Sequence, residues 1–122
     1  MRQGVVSAGG GVLAGHVEMA DSPLERMRGL LGRSSLPPGH AMAFDRCSLL
    51  HTCFMRFSID VLFLDREGRV VKLCRNIRPF RLVWGGWRAR MAIEAAAGGT
   101  FPAEGVQPGV RVALKVCTPG SG

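Results

Sequence analysis

The longest apolar stretch runs from Leu49 to Asp65, LLHTCFMRFSIDVLFLD, and it does not alternate. Leu49, Leu50, Cys53, Phe54, Met55, Phe57, Ile59, Val61, Leu62, Phe63 and Leu64 fall on odd and even positions alike. Such a run reads as strand covered on both faces or as a buried helix. The β-branched and aromatic residues, and the Asp65-Arg66-Glu67-Gly68 turn that follows, favour strand. His51, Arg56 and Asp60 interrupt the run, and each needs a partner or a cleft.

The flanking pattern predicts short elements. A strand is expected around Val5, and a half-buried strand over Val12 to Met19. Ser22-Pro23-Leu24-Glu25 supplies an N-cap, a proline at the first helical position and a capping-box Glu. Leu24, Met27, Leu30 and Leu31 then recur at helical spacing until Gly32 stops the helix. Ala41 to Phe44 reads as a small-residue strand. Arg69 to Arg75 returns from the tight turn, whose Gly68 can take positive φ. Asn76 to Arg90 (NIRPFRLVWGGWRAR) is broken by Pro79 and Gly85-Gly86 and reads as a long loop. Met91 to Ala97 reads as strand, with an Ala-rich helix as competitor. Phe101 to Pro108 reads as a loop or short helical turn, and Val110 to Val116 as the last strand.

Together these elements predict an α+β, β-rich fold: one compact domain, a partly closed barrel or rolled sheet of about seven short strands with one short helix, Ser22–Leu31. The domain is expected over 12–117. An N-terminal segment 1–11 with a possible short strand precedes it, and a flexible tail 118–122 follows.

Composition adds a charge argument. The 122 residues suffice for a core without metal or disulfide staples. Basic residues number 16 against 9 acidic, and 14 of them are Arg. Arginine favours planar anions and aromatic faces, so an anionic ligand suits the chain, although Arg on solvated faces gives the same count. The four cysteines form no CxxC and no zinc spacing, and read as small buried hydrophobes in a reducing compartment. The N-terminus lacks the apolar core of a signal peptide, and no run is long enough to span a membrane. The expected location is cytoplasmic.

The order of motifs is familiar: SPLERMRGLLGR, GHAMAF, LHTCFMRFSIDVLFLDREGRVVKL, a Pro-Phe-Arg segment, MAIEAAAG and GVQPGVRVAL. It resembles the small bacterial and archaeal family known as domain of unknown function family 192, over roughly Val12 to Leu114. The resemblance implies a compact β-rich α+β domain and no assigned activity; many relatives carry an export signal, which this chain lacks. The commoner family run Trp-Met-Lys-Asn-Thr stands here as Phe54-Met55-Arg56-Phe57-Ser58, which keeps the cation and loses the amide. The family's Leu-Glu-Leu strand appears as Ile93-Glu94-Ala95.

Candidate chemistry gathers at two places. Arg56, Asp60 and Glu94 are charges embedded in apolar strand, costly unless paired or open to water. With His51 they form a candidate ligand-binding set, in which Arg56 holds an anion and the carboxylates accept hydroxyls or amides. The structural alternative has Asp60 accepting strand-end amides and Arg56 pairing with Glu94. His51 and Cys53 would lie about 6–7 Å apart on one strand face, close enough for a thiol–imidazole pair or two metal ligands, but no motif adds a third. The second place is basic. Lys72, Arg75, Arg78, Arg81, Arg88 and Arg90 fall between Glu67 and Glu94 with no carboxylate among them, and Phe80, Trp84 and Trp87 are interleaved. That mixture suits a partner protein or single-stranded nucleic acid, or indoles folded onto the barrel end under stacked guanidiniums.

No P-loop, dinucleotide fingerprint, nucleophile elbow or HExxH is present. No cofactor and no metal is therefore expected. The chain reads as a non-enzymatic binding or accessory module for a small anionic or hydroxylated ligand or a protein segment. The alternatives are a small hydrolase or transferase using His51 with a carboxylate, and nucleic-acid binding through residues 72–90.

Overall fold

The described residues form nine strands: β1 (Arg2–Ala8), β2 (Gly11–Met19), β3 (His40–Asp45), β4 (Leu49–His51), β5 (Ile59–Leu64), β6 (Val70–Ile77), β7 (Leu82–Trp84), β8 (Met91–Ala96) and β9 (Val112–Cys117). The structure, a computed structural model, describes residues 2–9, 11–20, 36–52, 55–98, 100–102 and 106–117. The helix expected over 22–31 and the tail expected over 118–122 lie outside the described residues, as does Cys53.

Seven strands form one sheet in the order β6-β5-β8-β3-β2-β1-β9. All neighbours are antiparallel except β2 and β3. The segment 1–11 contributes to it directly, since β1 pairs with β2 on one side and β9 on the other. The sheet curls until its edges meet. Arg69 bridges to Arg111, and Val112 N–H donates to Gly68 carbonyl at 2.7 Å. Val70 N–H reaches Val110 carbonyl at 2.8 Å, and Val70 carbonyl accepts from Gly109 N–H at 2.8 Å. Gly68 has a φ of 80°, and a Cβ there would stand 3.0 Å from Val112 carbonyl oxygen, so the turn residue also permits the seam. This is the partly closed, rolled β-rich sheet that the pattern predicts.

Apolar residues bury both faces. Val6, Val17, Leu62, Leu64, Ile93 and Phe101 fill one side, and Met42, Ile59, Val61, Phe63, Ala92 and Val83 the other. All six residues of β5 are buried, as a run apolar at both parities requires. Each large side chain so buried is worth about 1.5–3 kcal/mol.

Two expectations change. The stretch 49–65 is not one strand: Leu49–His51 leaves the main sheet and pairs with Leu82–Trp84 in a separate two-stranded sheet. Residues 76–90 are not all loop, because β6 continues to Ile77 and β7 lies within them. One physical fact explains both. A three-residue strand between Pro79 and Gly85 has no periodicity of its own and exists only through its partner.

Candidate functional site

Asp60 sits at a bulge. Ile59 faces Ile77 and Val61 faces Cys74, so Asp60 alone opposes both Arg75 and Asn76. Asn76 takes a φ of 53°, and its N–H donates to Asp60 Oδ1 at 2.8 Å. Asp60 Oδ2 accepts from Gly98 N–H at 3.0 Å and lies 3.7 Å from Arg75 Nη1. Arg75 in turn donates to Phe101 carbonyl from Nη1 and to Pro102 carbonyl from Nη2, each at 2.9 Å. Asp60 therefore ties β5, the β6 bulge and the turn after β8 into one joint, with an amide on each oxygen.

Glu94 is placed differently. It stands opposite Val61 on β5 and Met42 on β3, so its side chain shares their face of the sheet. Asp60 stands opposite Ala95, one step out of phase, and points to the other face. The two carboxylates cannot share a cleft. Glu94 is only 5% exposed, and no described residue donates a hydrogen bond or ion pair to its carboxyl. Burial pushes its pKa up from 4.5 to about 8, so near neutral pH the protonated form is substantially populated. Arg56 and His51 are exposed, and His51 lies on β4 opposite Leu82. The structure thus separates the sequence-derived set at Asp60.

The basic, aromatic segment forms the more coherent surface. Thr52, wholly buried, clamps it: its hydroxyl donates to Arg78 carbonyl at 2.7 Å and accepts from Arg81 N–H at 2.9 Å. Its backbone N–H reaches Arg81 carbonyl at 2.9 Å, and its carbonyl accepts from Phe80 N–H at 3.1 Å. Beyond this clamp β7 pairs with β4, and alternation divides the residues. Leu50 and Val83 turn inward to the core, while the pairs Leu49–Trp84 and His51–Leu82 face out. Gly85 seats the strand, because its Cα rests against the ring of Phe63 where any side chain would overlap. Trp87 meets Trp84 edge-to-face, centroids 5.2 Å apart at 88°. Trp87 is 92% and Leu82 76% exposed, and Leu49, Phe80 and Trp84 are exposed beside them. Together these side chains form an exposed apolar cluster on the described surface. The indoles are thus not folded onto the barrel end.

Beside the cluster lies an open groove of 460 Å³, walled by Cys74 to Ile77 of β6 on one side and by Leu82 and Val83 of β7 on the other. Arg78 and Arg81 close one end, and near the other Lys72 Nζ donates to Trp84 carbonyl at 3.1 Å. Burial raises the Cys74 thiol pKa, which keeps it a poor nucleophile at neutral pH. Arg88 and Arg90 are exposed nearby in sequence. Among the described residues no three His, Cys, Asp or Glu side chains gather as a metal site, and no helix is long and apolar enough to cross a membrane.

Sequence reasoning singled out Arg75, Arg78, Arg81, Trp84 and Trp87 and passed over Thr52, Leu49 and Leu82, which the structure places with them around β4 and β7. Thr52 had no signal, being one hydroxyl in an apolar run. Leu49 and Leu82 became legible as surface only once β4 and β7 were paired.

Fold and surface together define a small domain with a rolled β-sheet and an accessory two-stranded layer. The family profile described as an uncharacterised ACR, domain of unknown function family 192, matches residues 5–114, and the chain belongs to that family. It is 37% identical over 90 residues to a UPF0127 protein of Pyrococcus abyssi, covering 69% of this chain and 74% of that one. A UPF0127 protein of Thermococcus gammatolerans is 37% identical over 95 residues, covering 73% of this chain and 60% of the relative. Among solved structures, a protein of unknown function from Novosphingobium aromaticivorans has the same fold, with a TM-score of 0.76, 21% identity, and coverage of 91% of this chain and 83% of that one. A protein of Sinorhizobium meliloti named as a candidate transcription regulator has a TM-score of 0.74 and 26% identity, covering 93% of this chain and 92% of that one.

Proposed function

We propose that this domain is a non-enzymatic binding module, and that an anionic partner meets it at the groove between β6 and β7 and the neighbouring Leu49, Leu82, Trp84 and Trp87. One observation carries the reading: Leu82, on a short sheet anchored to the core, and Trp87, in the turn that follows it, are highly exposed beside arginines with no carboxylate in the same stretch of chain. Rigid aromatic anchors next to guanidinium groups give both contact area and anion recognition. Cys47 and Cys74 are thiols and not halves of a disulfide, which suits a reducing, cytoplasmic setting.

An amide-shift NMR titration tests this, with acidic peptides, single-stranded RNA and anionic metabolites at low and high salt. The expected result is saturable shifts confined to residues 72–90, lost on Arg78→Ala with Arg81→Ala in a folded protein. Shifts clustered at Arg56 and Glu94 instead would move the site and overturn the assignment.

A second reading, nucleic-acid binding, draws on the name of the Sinorhizobium meliloti structure and on the basic stretch. It predicts affinity falling steeply with salt, with a log–log slope that counts phosphate contacts.

A further inference from the structure

We propose that the anionic partner is a membrane surface: Leu49, Leu82, Trp84 and Trp87 enter the interface of an anionic bilayer, and Arg78 and Arg81 meet lipid phosphates beside them. This rests on the anionic-partner reading above and names its occupant.

Placement of the apolar side chains carries the inference. Leu50 and Val83 pair and pack on the core, so Leu49, Leu82 and Trp84 stand on the opposite face of the two-stranded sheet. Leu82 and Trp84 are about 6–7 Å apart along β7, and Leu49 lies about 5 Å across from Trp84. Trp87 joins them, its ring edge-to-face with Trp84. The base under this cluster is held firmly. Thr52 bonds the chain at Arg78 and Arg81, and Gly85 N–H donates to Ser48 carbonyl at 2.7 Å. Trp87 projects almost wholly into solvent. A protein partner would need a pocket shaped for so prominent an indole. The fluid boundary between headgroups and acyl chains opens around one, and tryptophan is enriched at that boundary.

Charge selects the lipid. Lys72, Arg78, Arg81, Arg88 and Arg90 are exposed, and no carboxylate falls between Glu67 and Glu94 to offset them. Arg75 lines the groove but is committed to Asp60 and to the carbonyls of Phe101 and Pro102. Arg78 and Arg81 line it too. Arg81 spends Nη1 on Phe80 carbonyl at 3.3 Å, and a guanidinium has further N–H donors for a phosphate oxygen. Buried apolar area and attraction to anionic headgroups are the two terms that hold a protein on a bilayer, and this surface offers both. A neutral bilayer would engage the apolar side chains alone. Single-stranded nucleic acid would engage the cations alone, because Trp84 and Trp87 pack edge-to-face and offer no pair of parallel stacking platforms.

Trp84 and Trp87 are the only tryptophans of the chain, so intrinsic emission reads the proposed contact directly. The full chain is titrated with phosphatidylcholine vesicles, mixed phosphatidylcholine–phosphatidylglycerol vesicles, a capped acidic peptide and inorganic phosphate. The expected result on the mixed vesicles is a blue shift, with quenching by brominated acyl chains and weaker binding at high salt. Arg78→Ala with Arg81→Ala should lower the partition constant about tenfold or more at low salt. Leu82→Ser, at an exposed position, should lower it with the circular dichroism of the parent retained. Absence of quenching on the mixed vesicles overturns the membrane surface. If the peptide or phosphate then shifts the amides of Arg78 and Arg81, the anionic reading stands; silence to every probe overturns both. Equal partitioning into phosphatidylcholine alone overturns the anionic bilayer as the occupant.

Discussion

Gly85 lies directly against the ring of Phe63, and an added Cβ would overlap Cδ1 and Cγ of that ring and stand 2.8 Å from Ala89 Cβ. Phe63 is fully buried in β5, so the ring has little room to yield. Gly85→Ala should therefore cost about 1–3 kcal/mol through overpacking. Its denaturant midpoint should fall, and amide exchange should accelerate first at Leu82 to Trp84. A midpoint within error of the parent would remove Gly85 as the seat of β7.

Asp60→Ala leaves the N–H groups of Asn76 and Gly98 without their acceptor. A loss of about 2–4 kcal/mol is expected, with a smaller one for Asp60→Asn, which keeps one acceptor oxygen. Thermal melts read this directly. If folded Asp60→Asn loses ligand binding while keeping parental stability, Asp60 belongs to a site and not to a joint.

Glu94 sets a pH dependence with a definite sign. Its folded pKa, about 8, lies above its ordinary 4.5, so the folded state holds the proton more tightly. Its contribution to stability is full below about pH 4.5, declines as pH rises toward 8, and levels off beyond. The difference in unfolding free energy between parent and Glu94→Gln should accordingly change by roughly 3–5 kcal/mol between pH 4.5 and 9, the variant gaining at the alkaline end. Urea titrations across that range decide it; a flat difference would mean the carboxyl is solvated or paired.

Thr52→Val preserves shape and deletes the hydroxyl that bonds Arg78 carbonyl and Arg81 N–H. A cost of about 1–3 kcal/mol is expected for the bonds lost at a buried position. Exchange protection at Arg81 should drop more than at Leu62. Binding at the groove should weaken in parallel, because the same turn positions Arg78 and Arg81; unchanged affinity would uncouple the clamp from the surface.

Much of the sheet could be read from the pattern, because strands such as β5 and β8 carry their burial in their own composition. The pairing that makes the surface could not. Leu49 and Leu82 look like core residues in isolation, and only the inward turn of Leu50 and Val83 fixes them as outward. Asp60 and Glu94 misled for a related reason: each is a buried carboxylate in a strand, but their registers against Ala95 and Val61 send them to opposite faces. Face assignment across strands is a tertiary property, and single-strand parity cannot supply it. Arg78, Arg81, Trp84 and Trp87 could be singled out because charge and aromatic clustering need no register.

The seam of the rolled sheet has a kinetic consequence. Gly68 meets Val112 there, and β1 meets β9 with Gln3 opposite Cys117, so the order of the sheet depends on partners separated by much of the chain. Such non-local pairing places folding on the slow side for a domain of this size. During synthesis β1 emerges long before β9, and it carries an uncovered ladder until that last strand arrives. For this interval the nascent domain is an open template for stray strands, and a chaperone or a fast release from the ribosome would matter most.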